Sequence, residues 1–467
     1  MGTHQTNYSY SQEQINQWIA WDREYVWHPF TQMRDYVREE PLIFSHGKGA
    51  YLYDISGKQY FDGNSSLWVN LHGHAHPHMN QALQQQMEKI AHSTMLGPGS
   101  IPSIELAKRL IDIAPKGLTK VFYSDSGATA VEIALKMAFQ YWQQTQPRHP
   151  EKMKFLTFQE AYHGDTIGSV SLGGIDLFHG IFGPLLFHRY EVPYPVYSKY
   201  TSPESPAEIA QKSLDSCEKM FREHGEEMAA VIIEPLIQGA AGIRTAAPGF
   251  LKSLRDLCNQ YNVLLICDEV FVAFGRTGTM FACEHENVTP DLLALAKGIS
   301  GGYLPLAATL STQKVYDAFL GEYSEFKTFF HGHSYTGNQL ACAAGLASLE
   351  IFDKEDTLNR IKPVMAQMEK RLDQLFESYD LVGDIHQRGM SAGIDLVRSR
   401  KTSETFATEE RMGARICLEL RKYGIWLRPL GDTLVLIPPL ITTVDEINMV
   451  VDAIEDCLKR LSTGWMP

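Results

Sequence analysis

Five stretches of this chain are apolar over nearly their whole length: V-F-Y-S at 121, F-L-T-F at 155, A-A-V-I-I-E-P at 229, V-L-L-I-C-D at 263 and L-A-A-T-L at 306. A strand without polar alternation has no face to offer water. Such strands, separated by amphipathic helical stretches, predict a mostly parallel sheet covered on both faces, an α/β architecture. At 467 residues the chain exceeds one ordinary core, so two domains are expected.

Two of these stretches end in a way that restricts chemistry. V-L-L-I-C-D-E-V, residues 263–270, runs from a buried strand into two carboxylates. L-A-L-A-K-G-I-S-G-G, residues 293–302, sets one lysine between a small apolar run and a glycine-rich turn. Few partners offset the desolvation of a carboxylate at a buried strand end, and a protonated pyridine nitrogen is one. A lysine in an apolar pocket loses its proton more easily, and the free amine attacks aldehydes. Together Asp268 and Lys297 point to pyridoxal phosphate (PLP) held as an imine on Lys297, with Asp268 at the ring nitrogen. An Asp-Glu pair is also a common structural cap, so the pairing needs support elsewhere.

Composition narrows the partners. With 55 acidic against 42 basic residues, a net charge of −13 disfavours nucleic acid and anionic membranes, which call for a basic face. No apolar run approaches the ~20 residues of a membrane span. The polar N-terminus lacks a signal-peptide core. It fits the loose myristoylation pattern through Gly2 and Thr6, but nothing polybasic follows, so the match reads as coincidence. Seven scattered cysteines without C-x-x-C spacing imply neither a disulfide framework nor a zinc site, and Cys258, Cys267 and Cys342 read as small core residues. A cytoplasmic protein is expected.

Residues 1–60 combine a polar tail, an aromatic-rich helix or loop and a hairpin turned by S-G-K. Residues 61–335 carry the strand–helix alternation of a large cofactor-binding domain. Residues 336–467 form a smaller α+β domain that the N-terminal segment joins, with helices at 341–352, 356–378, 407–423 and 443–461 and strands at 390–397 and 433–437. The Pro-rich stretch 192–206 reads as a long loop.

Asp125-Ser126-Gly127-Ala128-Thr129 links a strand to a helix whose apolar face is Val131, Ala134, Leu135 and Ala138. That arrangement offers free N–H groups to a phosphate, although on this motif alone a capped helix is the favoured reading. It is neither a Walker A loop nor G-x-G-x-x-G. Tyr162, in E-A-Y-H-G-D-T, either lies flat on a planar cofactor or fills the core. His72, His74, His76 and His78 alternate, but Gly73 and Pro77 break any strand and no other ligand stands at metal spacing. A metal site is therefore disfavoured, and His331 and His333 read as loop polar groups.

D-E-V, F-G-R-T-G and P-D-L-L-A-L-A-K-G-I-S-G-G-Y-L-P resemble the class III PLP-dependent aminotransferases, and the likeness runs from Trp27 to the C-terminal helix. W-H-P-F-T-Q-M, Y-H-G-D-T, F-A-C-E-H-E and R-P-L-G-D resemble the branch of that class that aminates 8-amino-7-oxononanoate in biotin biosynthesis. The resemblance implies PLP-dependent transferase fold type I, with a seven-stranded sheet in the large domain. It implies that Lys297 carries the cofactor and moves the proton, and that Asp268 keeps the ring nitrogen protonated. Tyr162 and Val270 would flank the ring, and Ser126, Gly127 and Ala128 would hold the phosphate, with Ala128 lacking the hydroxyl many relatives have there. Glu234 would help position the cofactor. Arg428 would bind the keto acid's carboxylate, and Phe30 and Trp68 would line the apolar channel. Arg276 would be structural or face the donor. Gly332 and Ser334, in H-G-H-S-Y-T-G-N, would reach the site from a neighbouring subunit, making a homodimer the working unit.

The amino donor stays open between lysine and S-adenosylmethionine. Users of the latter carry Tyr at the position of Phe30, Trp at that of Leu67 and G-P-T-F-M-G where this chain reads G-H-S-Y-T-G, which leans the reading to lysine. Phe271-Val272-Ala273 replaces the usual Ala-Thr-Gly and adds bulk near the ring. The alternative within the fold is an ω-aminotransferase acting on a diamine, β-alanine or taurine with pyruvate.

Overall fold

A computed structural model describes residues 9–466; the Gly2 and Thr6 pattern lies outside the described residues. Seven strands form the central sheet in the spatial order Leu118–Ser124, Ala307–Thr312, Leu292–Leu295, Leu264–Asp268, Met228–Ile233, Lys154–Phe158 and Tyr190–Val192. Only Ala307–Thr312 runs against its neighbours, and every other adjacent pair is parallel. The three middle parallel strands are buried at every position, as their unbroken apolar sequences require.

Both faces of the sheet are covered. Ile232, Leu264, Ile266, Leu292 and Ala294 pack in one cluster with the Gly127–Gln144 helix, which turns Val131, Ala134, Leu135 and Ala138 inward. Val231, Ile233, Leu265, Cys267, Leu293 and Leu295 face the other way, toward the Phe250–Gln260 helix and its Phe250, Leu251, Leu254 and Cys258. Each such Leu or Ile, taken fully out of water, contributes about 1.5–3 kcal/mol. All seven cysteines are free and buried. No helix among the described residues is long and apolar enough to cross a membrane.

The S-G-K hairpin pairs Tyr51–Asp54 with Gln59–Asp62, and Phe44–Lys48 adds a further strand. Ile425–Trp426 then joins this sheet parallel to Phe61–Asp62, so residues from the two ends of the chain share one ladder. A separate antiparallel sheet of Val382–Arg388, Ser391–Leu396, Thr433–Leu436 and Arg428–Leu430 follows.

Helix limits depart from the apolar periodicity where caps intervene. The stretch predicted as one helix over 356–378 is Thr357–Arg360 and Lys362–Ser378, because Pro363 sits in a first turn and has no N–H to continue an earlier one. The helix expected from 407 begins at Met412, after Arg411 takes a left-handed φ of 48°. Gln339–Lys354 and Val444–Ser462 start under Asn338 and Thr443, whose side chains accept from the first-turn N–H groups of Ala341 and Glu446.

The two carboxylates of D-E-V divide their tasks. Asp268 ends its strand facing a cavity, whereas Glu269 is 0% exposed and accepts from the N–H groups of Ala282 and Cys283 at 2.6 and 2.8 Å. It ties the segment after F-G-R-T-G to the sheet. Arg276, the arginine of F-G-R-T-G itself, is 1% exposed and donates to the carbonyls of Pro438 (2.7 Å) and Asn70 (2.9 Å). Its guanidinium thus bonds main chain on both sides and does not face the cavity.

Arg276→Met leaves two buried carbonyls without charged donors. We expect a loss of about 2–4 kcal/mol, read as a lower denaturant midpoint at unchanged slope. Glu269 yields a pH test. Burial pushes its pKa from 4.5 up to about 7, so between those values the unfolded chain releases this proton before the folded one, and stability falls as pH rises. Glu269→Gln does not titrate. The stability advantage of the unsubstituted chain over this variant should therefore narrow from about pH 5 to about pH 7; a gap that widens would contradict the assignment.

Candidate active site

Parallel strands deliver their following loops to one edge of the sheet, and that edge is a natural crevice. Leu118–Ser124 leads into Asp125 to Ala128, Lys154–Phe158 into Tyr162, Met228–Ile233 into Glu234, Leu264–Asp268 into Val270, and Leu292–Leu295 into Lys297. The antiparallel strand begins at that same edge, which brings in Leu304, Pro305 and Leu306 just before it. These loops line a cavity of about 760 Å³, together with Trp68, Phe30 and Arg428 from the flanking segments. In register Asp268 pairs with Ala294, three residues before Lys297, so the acid and the amine come from adjacent strand ends.

Lys297 opens a short 3-10 turn with a left-handed φ of 46°. Phe30 (50°) and Trp68 (64°) share that uncommon conformation, a form of strain that collects at functional sites. The lysine amine stands 5.1 Å from the Trp68 ring centre and 5.6 Å from that of Phe271. No hydrogen bond or ion pair to it is found among the described residues. Burial pulls its pKa below the ordinary lysine value, against the opposing pull of Asp268 and Glu234. The added bulk of Phe271 has a physical account here: its ring packs 4.7 Å from Trp68 and closes the wall beside the amine.

Asp268 is 5% exposed. One carboxylate oxygen accepts from the Val270 N–H at 3.0 Å, and the other is 2.7 Å from His163 Nδ1. Each oxygen keeps a further lone pair for a ring N–H. Glu234 accepts from the N–H groups of Tyr162 and Gly239, both at 3.0 Å, and burial pushes its pKa up to about 7. Tyr162 donates from its hydroxyl to Asp165 at 2.8 Å, and His179 stacks on it at 6.0 Å.

Ser126 caps the Gly127–Gln144 helix in a capping box with Thr129. The N–H groups of Gly127 and Ala128 then have no partner within the helix. A Cβ on Gly127 would lie 2.5 Å from Val270, so only glycine lets the helix start come this close to the strand end. PLP fits this set: an amine without a polar partner, an acid with spare acceptor capacity, and an uncrowded helix N-terminus.

Arg428 lies half-buried on the cavity wall, and no carboxylate among the described residues pairs with it. Burial alone lowers its pKa. Of the residues singled out from sequence, Lys297, Asp268, Tyr162, Ser126, Gly127, Ala128, Glu234, Val270, Phe30, Trp68 and Arg428 all line the cavity. Gly332 and Ser334 do not; both are exposed, and the Ser334 carbonyl accepts from His92. Sequence reading passed over His163, Asp165, Asn64 and Phe178, which also line it. The adjacency of His163 to Tyr162 was the one usable signal, since its partner is 105 residues away.

The alternating histidines diverge. His72 meets Ser348, His74 Asp62, His76 Glu355 and His78 Glu350, at 2.8 to 3.0 Å. His331 and His333 contact each other at 3.0 Å, and His333 reaches Asp125 at 2.8 Å.

A family model described as Aminotransferase class-III matches residues 33–458. The chain is 49% identical over 448 residues to the adenosylmethionine-8-amino-7-oxononanoate aminotransferase of Geobacter sulfurreducens, covering 95% of this chain and 98% of that one. For the enzyme of the same name from Staphylococcus aureus the identity is 47%, over 92% and 94% of the two chains. The crystal structure of the Methanocaldococcus jannaschii adenosylmethionine-8-amino-7-oxononanoate aminotransferase matches with a TM-score of 0.90 at 44% identity, over 96% and 99% of the chains. A PLP-bound amine transaminase from an uncultivated Pseudomonas species matches at 0.87 and 34%, over 93% and 98%. With fold, cavity and sequence in agreement over nearly its whole length, this chain belongs to the class III aminotransferases.

Proposed function

We propose that this PLP-dependent transaminase aminates 8-amino-7-oxononanoate to 7,8-diaminononanoate, a step of biotin biosynthesis. The observation that carries the reading is the pairing, in one largely apolar cavity, of an unpartnered amine at Lys297 with an unpartnered guanidinium at Arg428. The first suits the amino-transfer chemistry of the class. The second suits a long-chain acid, since a planar guanidinium binds a carboxylate through two parallel hydrogen bonds while the apolar wall takes the methylenes. The two relatives and the solved structure described above that are named for this substrate stand at 44–49% identity, against 34% for the amine transaminase, which favours it over the ω-aminotransferase alternative.

PLP bound here supplies an aldehyde that condenses with amines and a ring that accepts the electron pair left by a departing proton. The protein supplies the rest. Lys297 Nζ, flanked by the rings of Trp68 and Phe271, takes the proton from the donor carbon that bears the amine and later delivers one to the keto carbon. Asp268 holds the proton on the ring nitrogen. Gly127 and Ala128 offer N–H groups to the phosphate, and Tyr162 with Val270 confines the ring. In the first half-reaction the donor leaves its nitrogen and takes oxygen from water. In the second, the keto acid takes that nitrogen and releases water.

The donor is S-adenosylmethionine or lysine. The names of the relatives support the first, and Phe30 and Leu67 on the cavity wall support the second. The working unit we propose is a homodimer in a reducing, cytoplasmic setting. The exposure of Gly332 and Ser334 outside their own cavity, beside Phe330 (71% exposed) and Tyr335 (63%), fits a loop serving a second copy, and seven free cysteines fit such a compartment.

Lys297→Ala should still take up PLP, without the absorbance of a lysine-linked cofactor, and lose turnover about a thousandfold or more. Near-normal turnover would end the assignment. Arg428→Ala should raise KM for 8-amino-7-oxononanoate about 10–100-fold, as expected for a lost charged hydrogen-bond pair. An unchanged KM would remove the carboxylate role. Turnover with S-adenosylmethionine, lysine and β-alanine as donors separates the donor readings, and activity confined to β-alanine with pyruvate would overturn the substrate.

A further inference from the structure

Three of the four residues from Ser65 to Trp68 take a left-handed φ: 48° at Ser65, 61° at Ser66 and 64° at Trp68. None is glycine, so the backbone keeps this form only because its surroundings fix it. The buried Asp62 accepts the Ser66 N–H through both carboxylate oxygens, at 3.0 and 2.8 Å, and His74 Nε2 stands 2.8 Å from one of them. The Ser65 hydroxyl donates to the Ile437 carbonyl at 2.7 Å, and the Ile437 N–H donates to the Gly63 carbonyl at 2.8 Å. The main chain of the turn is thus held by a buried acid on one side and by the residue after Thr433–Leu436 on the other. What it leaves open is the torsion of the Trp68 side chain.

The indole has one polar atom, and Asn64 takes it. Trp68 Nε1 donates to Asn64 Oδ1 at 3.1 Å, while Asn64 Nδ2 donates to the Ser66 carbonyl at 3.2 Å. An indole N–H only donates and a carbonyl only accepts, so the two bonds settle which way the amide faces. Asn64 is buried, although it lines the cavity. Gly239 backs the ring: a Cβ there would lie 3.0 Å from the indole and 3.1 Å from Phe271. The indole centre then stands 5.1 Å from the Lys297 amine.

We propose that Asn64 is a positioning residue that sets substrate specificity through Trp68. By accepting the indole N–H it fixes the plane of the ring and takes the ring's polar atom out of the channel. The wall beside Lys297 then offers only carbon to the methylenes of a long-chain acid. Without Asn64 a buried N–H loses its acceptor, and the ring gains by turning that edge toward another acceptor in the cavity. The flat apolar face leaves the substrate chain as it turns. The inference deepens the proposed function and rests on its long-chain acid.

The two ends of one bond provide the test. We would compare Asn64→Ala, Trp68→Phe and the double variant as PLP-loaded enzymes. The readouts are KM for 8-amino-7-oxononanoate, kcat, PLP affinity and the calorimetric dissociation constant of nonanoate, a non-reacting acid of the same chain length. Asn64→Ala should raise that KM and the nonanoate constant about tenfold, the scale of one buried hydrogen bond, with kcat and PLP affinity within about threefold. Trp68→Phe keeps an aromatic ring without the N–H and should give a rise of the same order. Because both changes remove one bond, the double variant should lie within about twofold of Trp68→Phe alone. An Asn64 that served only the Ser66 carbonyl would keep its effect in the Phe background. Effects that multiply in the double variant, or Asn64→Ala constants within twofold of the unsubstituted enzyme, overturn the inference. If Asn64→Ala takes up no PLP, Trp68→Phe decides: weaker nonanoate binding supports the inference and an unmoved constant overturns it. An enzyme that binds nonanoate but does not turn over 8-amino-7-oxononanoate overturns the functional reading, and the nonanoate constants then decide this inference on their own.

Discussion

A buried carboxylate governs this structure. Asp268 sits at the end of a strand with no exposed position, where an ionised group is stable only if its oxygens are bonded. The Val270 N–H and the His163 ring supply two of those bonds. The Val270 donor comes from the chain's own turn after the strand. The His163 donor requires a second strand, Lys154–Phe158, to end at the same edge and to turn back tightly. The sheet order that brings those ends together is thus the condition for holding the acid. Glu269, one residue on, is satisfied by the N–H groups of Ala282 and Cys283, which closes the same region from the opposite side.

The cavity follows from strand direction. Because adjacent strands run parallel, their loops gather at one edge and supply residues of different chemistry: an acid, an amine, an aromatic ring and a capped helix. The reversed strand contributes through its beginning instead of its end. The joining of the two chain ends does the remainder. Ile425–Trp426 lies beside Phe61–Asp62, so Arg428 just after the one and Trp68 just after the other both reach the cavity. Arg276 holds this arrangement by bonding Asn70 and Pro438 together through one guanidinium.

Much of this was legible in the sequence because the relevant signals are local. Unbroken apolar runs identify covered strands, the Asp at a strand end and the Lys before a Gly-rich turn both prove to line the cavity, and S-G-K identifies a hairpin. Helix limits were less legible, since Pro363 and the left-handed Arg411 interrupt apolar patterns that read as continuous. The four alternating histidines illustrate the reverse case. Their spacing suggests a cluster, but their partners lie at Asp62, Ser348, Glu350 and Glu355, and each ring turns to its own.

By itself, then, the sequence determined the layered α/β class, the family, and the residue types at the cavity edge of the sheet, because each of these is written in stretches of a few residues. Tertiary structure alone decided which groups meet. That His163 holds Asp268, that Phe271 joins Trp68 beside Lys297, and that Arg428 faces the cavity without a carboxylate while Gly332 and Ser334 stay outside it are consequences of strand order and of the ladder joining the chain's ends. Contacts across a hundred residues or more are set by how the layers pack, and no local pattern encodes them.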